Sequence, residues 1–377
     1  MPTVSVGQSI NPFGVDVCVE PGPRAYLDLG ALPRLEPSLL GSPVAEVPTI
    51  VKRLCGICPT PHHLAGIRAL ESLLGGVELT PTAHAVRELL HHGSVIDTFA
   101  PRLVGVDREL AILARRTGTL LLRAAGCPGH FPDVAVVGGV RAPADSALLK
   151  EAAPLLDELT SALSAPGVSA EPLRAEPWPE GVDLNLEPGP LGTEVVVRGA
   201  PEPLRFPVEE WPERVRESRP GSADCRPDVR VGSWYYPWRT GPALSEAGAG
   251  LGAVRASCEA LRGLLARAEL YGDEVGVARD VAEIRPSGVG VGVVEGPRGL
   301  LAHVYEAEEG TLVGCQILTP TAQNAAWLES LLTQAVAAGA EPAALERAIR
   351  LVDPCLPCTH APAGMMEVHI HEQSGRR

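Results

Sequence analysis

The sequence predicts an α+β fold that is predominantly helical and carries small antiparallel β elements. Apolar residues recur at helical spacing in several long segments, whereas the strand-like runs are short and few. Hydrophobic residues make up 45% of the 377 residues, which is enough for a substantial buried core. This length allows two or three domains or a single large one.

The first part of the chain is predicted to form a hairpin followed by helices. Residues 15–29 read as two strands joined by the turn residues Pro21–Gly22–Pro23. Thr80 and Pro81 are typical of a helix start, as the N-cap and the first helical residue. The helices expected here cover residues 64–74, 80–98, 101–125 and 144–164.

The middle of the chain, residues 165–243, differs because prolines recur every few residues. Its clearest regular element is one strand at residues 194–198, so we expect an inserted or loosely folded, irregular segment. Aromatic residues concentrate at positions 234–238, which fits either core packing or a partner interface.

The last third returns to regular structure. Asp353–Pro354 is expected to end the last helix, because the residue before a proline is pushed out of the α region. The expected helices cover residues 245–272, 321–338 and 342–351, and the expected strands cover residues 289–294, 301–306 and 312–318.

The composition argues against a nucleic-acid-binding, secreted or membrane-spanning protein. The formal net charge of −14 argues against nonspecific nucleic-acid binding, which needs a basic face. The first residues lack the pattern of a signal peptide, and no stretch of about 20 apolar residues predicts a membrane span. We therefore expect a reducing, cytoplasmic setting, where Cys-x-x-Cys pairs indicate metal or redox chemistry more often than disulfides.

Two such pairs lie near opposite ends of the chain, Cys55 with Cys58 and Cys355 with Cys358. Both fall at predicted helix boundaries, and a helix N-terminus favours the thiolate form of a cysteine. Four thiolates in an apolar site require a cation. Structural zinc and an iron–sulfur cluster are two possible occupants, although zinc pairs are usually closer in sequence than the roughly 300 residues that separate these.

The residues around the pairs carry a more specific signal. Arg53-x-Cys55-Gly-x-Cys58-x-x-x-His62 and Asp353-Pro-Cys355-x-x-Cys358 together resemble the two cysteine signatures of the nickel–iron hydrogenase large subunit. The run after Cys55 is most similar to the cytoplasmic, cofactor-coupled branches. Further segments that resemble family motifs are Val19–Glu20, Arg34–Glu36, His130–Pro132, Glu295–Gly299 and Leu318–Thr321.

The resemblance implies a single large-subunit domain over residues 1–377, with the four cysteines at the centre of a helical bundle. In the family, Cys55 and Cys355 correspond to terminal nickel ligands, whereas Cys58 and Cys358 bridge nickel to iron. The iron carries carbonyl and cyanide ligands. The residues that the resemblance places around them are Pro297, Arg298, Pro320, Thr321 and His62.

The implied reaction is the reversible cleavage of H₂ to protons and electrons. Cys355 is the expected first proton acceptor and Glu20 the expected relay, although Glu20 also fits a surface carboxylate beside a turn. Glu36 and His360 are candidate ligands of a magnesium ion, with an ordinary exposed glutamate as the alternative for Glu36. Arg53 is expected to anchor its loop or to form a surface ion pair.

Two departures from the family pattern are visible. The second signature usually ends Cys-x-x-His, whereas here His360 follows Cys358 one residue early. Residues 361–377 resemble the tail that a maturation protease removes after nickel loading, with the position of the cut left open. Where many relatives carry histidines after the first helices, this chain has Asp97-Thr98-Phe99.

The implied partners are an iron–sulfur small subunit, further flavin or electron-acceptor subunits, nickel-insertion factors and the maturation protease. The small subunit is expected because the chain has no further cysteine cluster for iron–sulfur centres. The alternatives are a hydrogen-sensing subunit, a non-catalytic scaffold like the related subunit of respiratory complex I, and a protein held together by zinc.

Overall fold

The computed structural model describes residues 13–22, 24–29, 34–53, 55–165, 168, 175–245, 250–339 and 341–372. The α-helices in these ranges are α1 Glu36–Leu39, α2 Val47–Val51, α3 Pro59–Leu73, α4 Pro81–Phe99, α5 Arg108–Ala124, α6 Ser146–Leu163, α7 Trp211–Arg214, α8 Leu251–Leu265, α9 Val281–Ile284, α10 Pro320–Gln323, α11 Ala325–Ala337 and α12 Pro342–Val352. The strands are β1 Gly14–Glu20, β2 Arg24–Leu27, β3 Ala135–Val136, β4 Gly139–Val140, β5 Val182–Glu187, β6 Glu194–Arg198, β7 Leu204–Pro207, β8 Val215–Glu217, β9 Pro227–Val231, β10 Trp234–Arg239, β11 Gly288–Gly296, β12 Gly299–Glu308, β13 Thr311–Leu318 and β14 Glu367–Glu372.

Four long helices, α4, α5, α6 and α8, pack against one another around the largest hydrophobic core. The predicted start of α4 is confirmed, because the Thr80 hydroxyl accepts a hydrogen bond of 3.1 Å from the backbone nitrogen of Ala83. The helix expected over residues 101–125 is interrupted: a 3₁₀ turn at Ala100–Gly105 precedes α5, whose N-cap is Asp107. None of the described helices is both long and apolar enough to cross a bilayer.

Strands β11, β12 and β13 form an antiparallel sheet, which confirms the three strands predicted there. Helix α3 packs on one face of this sheet. Gly290 and Gly292 of β11 lie directly under α3, where an added Cβ would meet the backbone of Ala65, Ala69 or Leu73. The sheet therefore sets the position of α3, which begins immediately after Cys58.

The described part of residues 165–243 differs from the irregular segment expected there. Six strands in the order β7-β6-β5-β10-β9-β8 form one sheet, and its buried side chains share a hydrophobic core with residues of β11 and β12. The aromatic cluster divides: Trp238 is buried against Trp211, with ring centroids 5.9 Å apart, whereas Trp234 is 72% exposed. This sheet is neither small nor wholly antiparallel, because β5 and β10 pair in parallel.

A third sheet has the order β14-β1-β2. The predicted hairpin is present as β1 and β2, although Pro23 of its turn lies outside the described residues. The C-terminal strand β14 pairs in parallel with β1, and Met366 just before it is buried. Thus the expected tail is attached through the pairing of β14 and through buried Ala361 and Met366, while residues 373–377 lie outside the described part.

Candidate functional site

Three of the four predicted cysteines converge. The Sγ atom of Cys55 lies 2.8 Å from that of Cys58 and 3.5 Å from that of Cys355. Among the described residues, these three form the only group of three or more cysteine, histidine or acidic side chains close enough to bind one metal ion. Thiols from the two ends of the sequence therefore meet at one point, and soft thiolate donors suit nickel, iron or zinc.

The three thiols share negative charge unequally. Hydrogen bonds from Cys355 and Cys58 hold the pKa of Cys55 well below its usual range. Hydrogen bonds with Cys355 and Cys55, together with burial, raise the pKa of Cys58 well above its usual range. The contact with Cys55 and burial raise the pKa of Cys355 to about 12. A bound cation would favour all three thiolates, so the chemistry of this donor set fits a metal centre.

Cys358 lies outside this group. It is buried within the 3₁₀ turn Pro357–His360, and burial raises the pKa of its thiol to about 11. The structure therefore assembles three of the four predicted metal ligands and places the fourth one turn away along the same loop.

A cavity of about 410 Å³ opens beside the three thiols. Its walls include all five residues that the family resemblance places around the cofactor. These lining residues are His62, Pro297, Arg298, Pro320 and Thr321. The cavity is mixed in character, with apolar walls and a few polar groups, which is typical of sites that bind small ligands.

Arg298 is the most unusual polar group in the cavity wall, because it is only 3% exposed. Its Nη1 and Nε atoms have no hydrogen-bond partner in the described part of the chain. The Nε atom lies 3.4 Å from an Asp353 oxygen, which is close enough for an ion pair but not aligned for a hydrogen bond. Unpaired buried donors are costly, so the guanidinium fits an acceptor or anionic ligand within the cavity.

The loop that carries Cys355 is held from two sides. The Thr321 hydroxyl accepts a hydrogen bond of 2.8 Å from the backbone nitrogen of Cys355. Thr321 is fixed in turn by the start of α10, where the Thr319 side chain accepts from the nitrogen of Ala322. On the other side, Asp353 accepts two hydrogen bonds from Arg102. Sequence analysis did not identify Arg102, and its distance from Asp353 along the chain gave no local signal.

His62 has a second set of partners that sequence analysis missed. Its Nδ1 atom lies 3.1 Å from Nε2 of His303, and Nδ1 of His303 lies 2.7 Å from the Tyr305 hydroxyl. All three side chains are buried. The available signal was the spacing of His303 and Tyr305, since alternate residues of a strand face the same side.

The predicted acidic residues lie farther from the thiols. Glu20 ends β1, is about one-third exposed and accepts hydrogen bonds from Arg24 and Tyr26. It does not line the cavity. Glu36 does line it and pairs with Arg34.

His360 and Arg53, the remaining predicted residues, do not join the group of candidate metal ligands. The His360 ring nitrogen Nε2 lies 3.4 Å from Nη2 of Arg298, and Arg53 is exposed. No group of three or more candidate ligands in the described ranges includes Glu36 or His360. The structure thus does not bring these two side chains together as a magnesium site.

A second, smaller cavity of about 220 Å³ is also lined by Cys58. Asp97 lies in its wall and accepts hydrogen bonds from Arg115 and from the Thr119 hydroxyl. Burial raises the pKa of this carboxyl. Asp97 therefore places a carboxyl group in the wall of this cavity, at a position where the family resemblance leads us to expect histidine.

Comparisons with known proteins identify hydrogenases as similar to this chain. Residues 34–99 match the family model described as nickel-dependent hydrogenase. The chain is 26% identical to one subunit of the F420-non-reducing hydrogenase of Methanothermobacter thermautotrophicus, over 86% of both chains. A shorter alignment, covering 29% of this chain and 26% of the other protein, is 36% identical to a vhu subunit of the F420-non-reducing hydrogenase of Methanocaldococcus jannaschii.

The fold is similar to a chain of the NAD⁺-reducing NiFe hydrogenase in the H₂-reduced state. The TM-score is 0.70 at 26% identity, and the match covers 90% of this chain and 93% of the other. The likeness therefore extends over most of both chains and is not confined to the cysteine motifs.

Proposed function

We propose that this chain, which is similar over most of its length to subunits of known hydrogenases, is the catalytic large subunit of a nickel–iron hydrogenase that reversibly cleaves H₂ into protons and electrons. The observation that carries the proposal is the convergence of Cys55, Cys58 and Cys355 beside a buried arginine with unpaired donors. A metal that carries small anionic ligands would explain both the cluster of thiols and the unpaired arginine donors. The metal would bind the thiolates, and its anionic ligands would accept hydrogen bonds from the guanidinium.

The residues present fit a nickel–iron centre with carbonyl and cyanide ligands on iron. Cys55, Cys58 and Cys355 would hold it, and Cys358 would complete the set. Such a centre supplies the two-electron chemistry that H₂ cleavage requires. Arg298 would donate hydrogen bonds to an anionic ligand, and the Thr321 hydroxyl keeps Cys355 oriented through its backbone nitrogen.

The proton needs a path away from the site. We assign Cys355 as the first proton acceptor, because the family resemblance makes it a terminal nickel ligand and it lines the cavity. Glu20 is assigned as an outer relay, which its partly exposed position supports, since a relay must exchange protons with solvent. Glu36 borders the same cavity and remains the candidate for a magnesium ion.

Electrons must leave through another protein. Apart from Cys55, Cys58 and Cys355, no three cysteines among the described residues lie close enough together to hold an iron–sulfur cluster. The direct partner that we assign is therefore an iron–sulfur small subunit, in a cytoplasmic complex that includes flavin or other electron-acceptor subunits. Nickel-insertion factors and a protease that cuts within the C-terminal tail of residues 361–377 would act during maturation.

The test is metal analysis and spectroscopy of the chain purified without oxygen together with its co-purifying partners. We expect nickel and iron in equal amounts, infrared bands from carbonyl and cyanide, and H₂ oxidation with an artificial electron acceptor. The Cys355→Ser variant should lose nickel and activity while remaining folded. Zinc alone, or a native protein without metal, would contradict the proposal and favour a structural role.

A further inference from the structure

A buried line of three side chains runs from the metal site into the protein. It consists of His62 in the first turn of α3, followed by His303 and Tyr305 on β12. We propose that His303 and Tyr305 are positioning residues that fix one tautomer of His62, so that its Nε2–H group points toward Cys55. This inference rests on the proposed function and deepens the account of the same site.

The contacts define the order of the line. The Nδ1 atom of His62 forms a hydrogen bond with Nε2 of His303, at 3.1 Å. The Nδ1 atom of His303 forms a hydrogen bond with the Tyr305 hydroxyl, at 2.7 Å. His62 and Cys55 line the same cavity, and His62 helps to lower the pKa of the Cys55 thiol. Nε2 is the ring nitrogen of His62 that is not paired with His303.

The direction of the hydrogen bonds follows from acidity. A phenol is a stronger acid than a neutral imidazole N–H, and an imidazole nitrogen is a stronger base than a phenol oxygen. The Tyr305 hydroxyl therefore donates to Nδ1 of His303, which leaves the proton of His303 on Nε2. That proton is donated to Nδ1 of His62, so the proton of His62 must be on Nε2.

The sulfur of Cys55, next to His62, favours the same direction of hydrogen-bond donation. Nε2–H of His62 can donate to the sulfur of Cys55, whereas an unprotonated Nε2 would turn its lone pair toward an electron-rich thiolate. Metal-binding sites commonly use such outer partners to set the orientation of groups around the ligands, and their loss typically costs 10- to 100-fold in metal affinity or activity.

Burial removes the competing arrangements. His303 and Tyr305 each have 0% exposure, so water does not offer either side chain another partner at the surface. Burial, with His62 nearby, holds the pKa of His303 well below its usual range and keeps this ring neutral. A neutral ring has one donor and one acceptor, so its two neighbours determine its tautomer.

The fold brings the three groups together through the packing of α3 on the sheet. His303 is paired with Gly292 of the neighbouring strand, and Tyr305 is paired with Gly290. Directly opposite residues share a face, so the two glycines leave space on the side where α3 lies. The close approach of α3 then places His62 within hydrogen-bond distance of His303.

The experiment uses the full-length, reduced, metal-free chain labelled with ¹⁵N-histidine. Nitrogen chemical shifts distinguish a protonated from an unprotonated ring nitrogen, and the His62 signals are assigned from their loss in His62→Gln. In the native chain we expect His62 to carry its proton on Nε2 alone. Tyr305→Phe, which removes only the hydroxyl, should shift the His62 signals toward a mixture of tautomers, and His303→Phe should do the same.

Tyr271→Phe is the matched control, because its hydroxyl bonds the Leu265 carbonyl on the surface and touches no site residue. It should leave the His62 signals unchanged. In the metal-loaded complex, Tyr305→Phe should lower kcat about 10- to 100-fold. A native His62 with its proton on Nδ1, or His62 signals unaffected by Tyr305→Phe, would overturn the proposal. Neither result depends on turnover of H₂, so failure here is distinct from failure of the proposed function.

Discussion

Arg102 and Asp353 form a two-pronged ion pair, with Nη1–Oδ2 and Nη2–Oδ1 distances of 2.7 and 2.6 Å. Asp353 ends α12 in a left-handed backbone conformation and is 5% exposed. Arg102 also reaches the hydroxyl of Thr359, on the far side of Cys355 and Cys358. One arginine from the helical bundle thus holds both ends of the loop that presents the second cysteine pair.

Replacing Arg102 by leucine should therefore destabilise the protein strongly. It leaves the buried Asp353 carboxylate with only the less well aligned Arg298, and removing one partner of a buried pair costs about 3–5 kcal/mol. Chemical denaturation measures this loss. Arg262→Leu is the control, because its ion pair with Asp157 is exposed and should contribute less than about 1 kcal/mol. Equal effects of the two variants would show that the Arg102 pair has no special role.

Gly292→Ala should displace α3. The added Cβ would meet the carbonyl oxygen of Ala65 and, at 2.5 Å, the backbone nitrogen of Ala69. Such overpacking typically costs about 1–3 kcal/mol, and it should also separate His62 from His303. Thermal denaturation and nickel content after loading report the two effects. Gly263→Ala, where an added Cβ meets no other atom within 4 Å, should leave the nickel content unchanged and should not lower stability, because a helix favours alanine over glycine. Normal stability and nickel content in Gly292→Ala would disprove the packing argument.

Buried His63 should make stability fall on acidification. Burial, with nearby Lys52, lowers the pKa of His63 to about 3, whereas in the unfolded chain it is about 6.5. The unfolded state therefore binds the proton first, so the stabilisation is present above pH 6.5 and is lost as the pH falls toward 3. The loss attributable to His63 at pH 5 is about 2 kcal/mol.

His63→Gln tests this directly, because the amide oxygen can still accept the hydrogen bond that Ala135 donates to Nε2 of His63. The free energy of unfolding of this variant should fall less between pH 8 and pH 5 than that of the native chain. Parallel curves for the two proteins would assign the acid sensitivity to other groups.

The C-terminal segment should contribute to stability while it is present. Arg350 donates hydrogen bonds to the carbonyl oxygens of Ala361 and Pro362, and Met366 is buried. Truncation after His360 should lower the free energy of unfolding by about 3–5 kcal/mol, from the buried methionine and the lost hydrogen bonds. Truncation after Glu372 is the reference, because it keeps β14 paired with β1. Equal stability of the two truncated chains would contradict the contribution of this strand.

The sequence predicted the features that depend on neighbouring residues. Thr80 and Pro81 marked the start of α4, and Pro354 marked the end of α12 at Asp353, because capping and the proline ring act locally. The three strands between residues 288 and 318 were also visible, since they are consecutive and pair with their neighbours.

Long-range pairing accounts for what the sequence did not predict. The sheet around Trp238 joins β5 to β10 across more than 50 residues, and its short strands resemble a loop when each is judged alone. The partners of Asp353 and His62 are likewise distant, at Arg102 and His303. Residue types at the site were therefore predictable from motifs, whereas the groups that orient them emerged only from the fold.

Cys358 provides the sharpest test of the metal site, because the structure places its thiol outside the group that the other three form. Burial raises the pKa of the Cys358 thiol to about 11, so without metal the thiol stays protonated and neutral. A bound metal strongly favours the thiolate. Since Cys358 lies in a short 3₁₀ turn beside Cys355, we expect loading to bring its sulfur to the centre.

X-ray absorption at the nickel and iron edges counts the sulfur neighbours of each metal. We expect four cysteine sulfurs around the centre in the native protein and three in Cys358→Ala, with a loss of iron, because the family resemblance implies that Cys358 would hold iron as well as nickel. Cys258→Ala removes a thiol of α8 that is similarly buried but remote from the cavity, and it should retain all four. A native centre with three sulfurs, unchanged in Cys358→Ala, would mean that the fourth cysteine of the motif is structural in this chain.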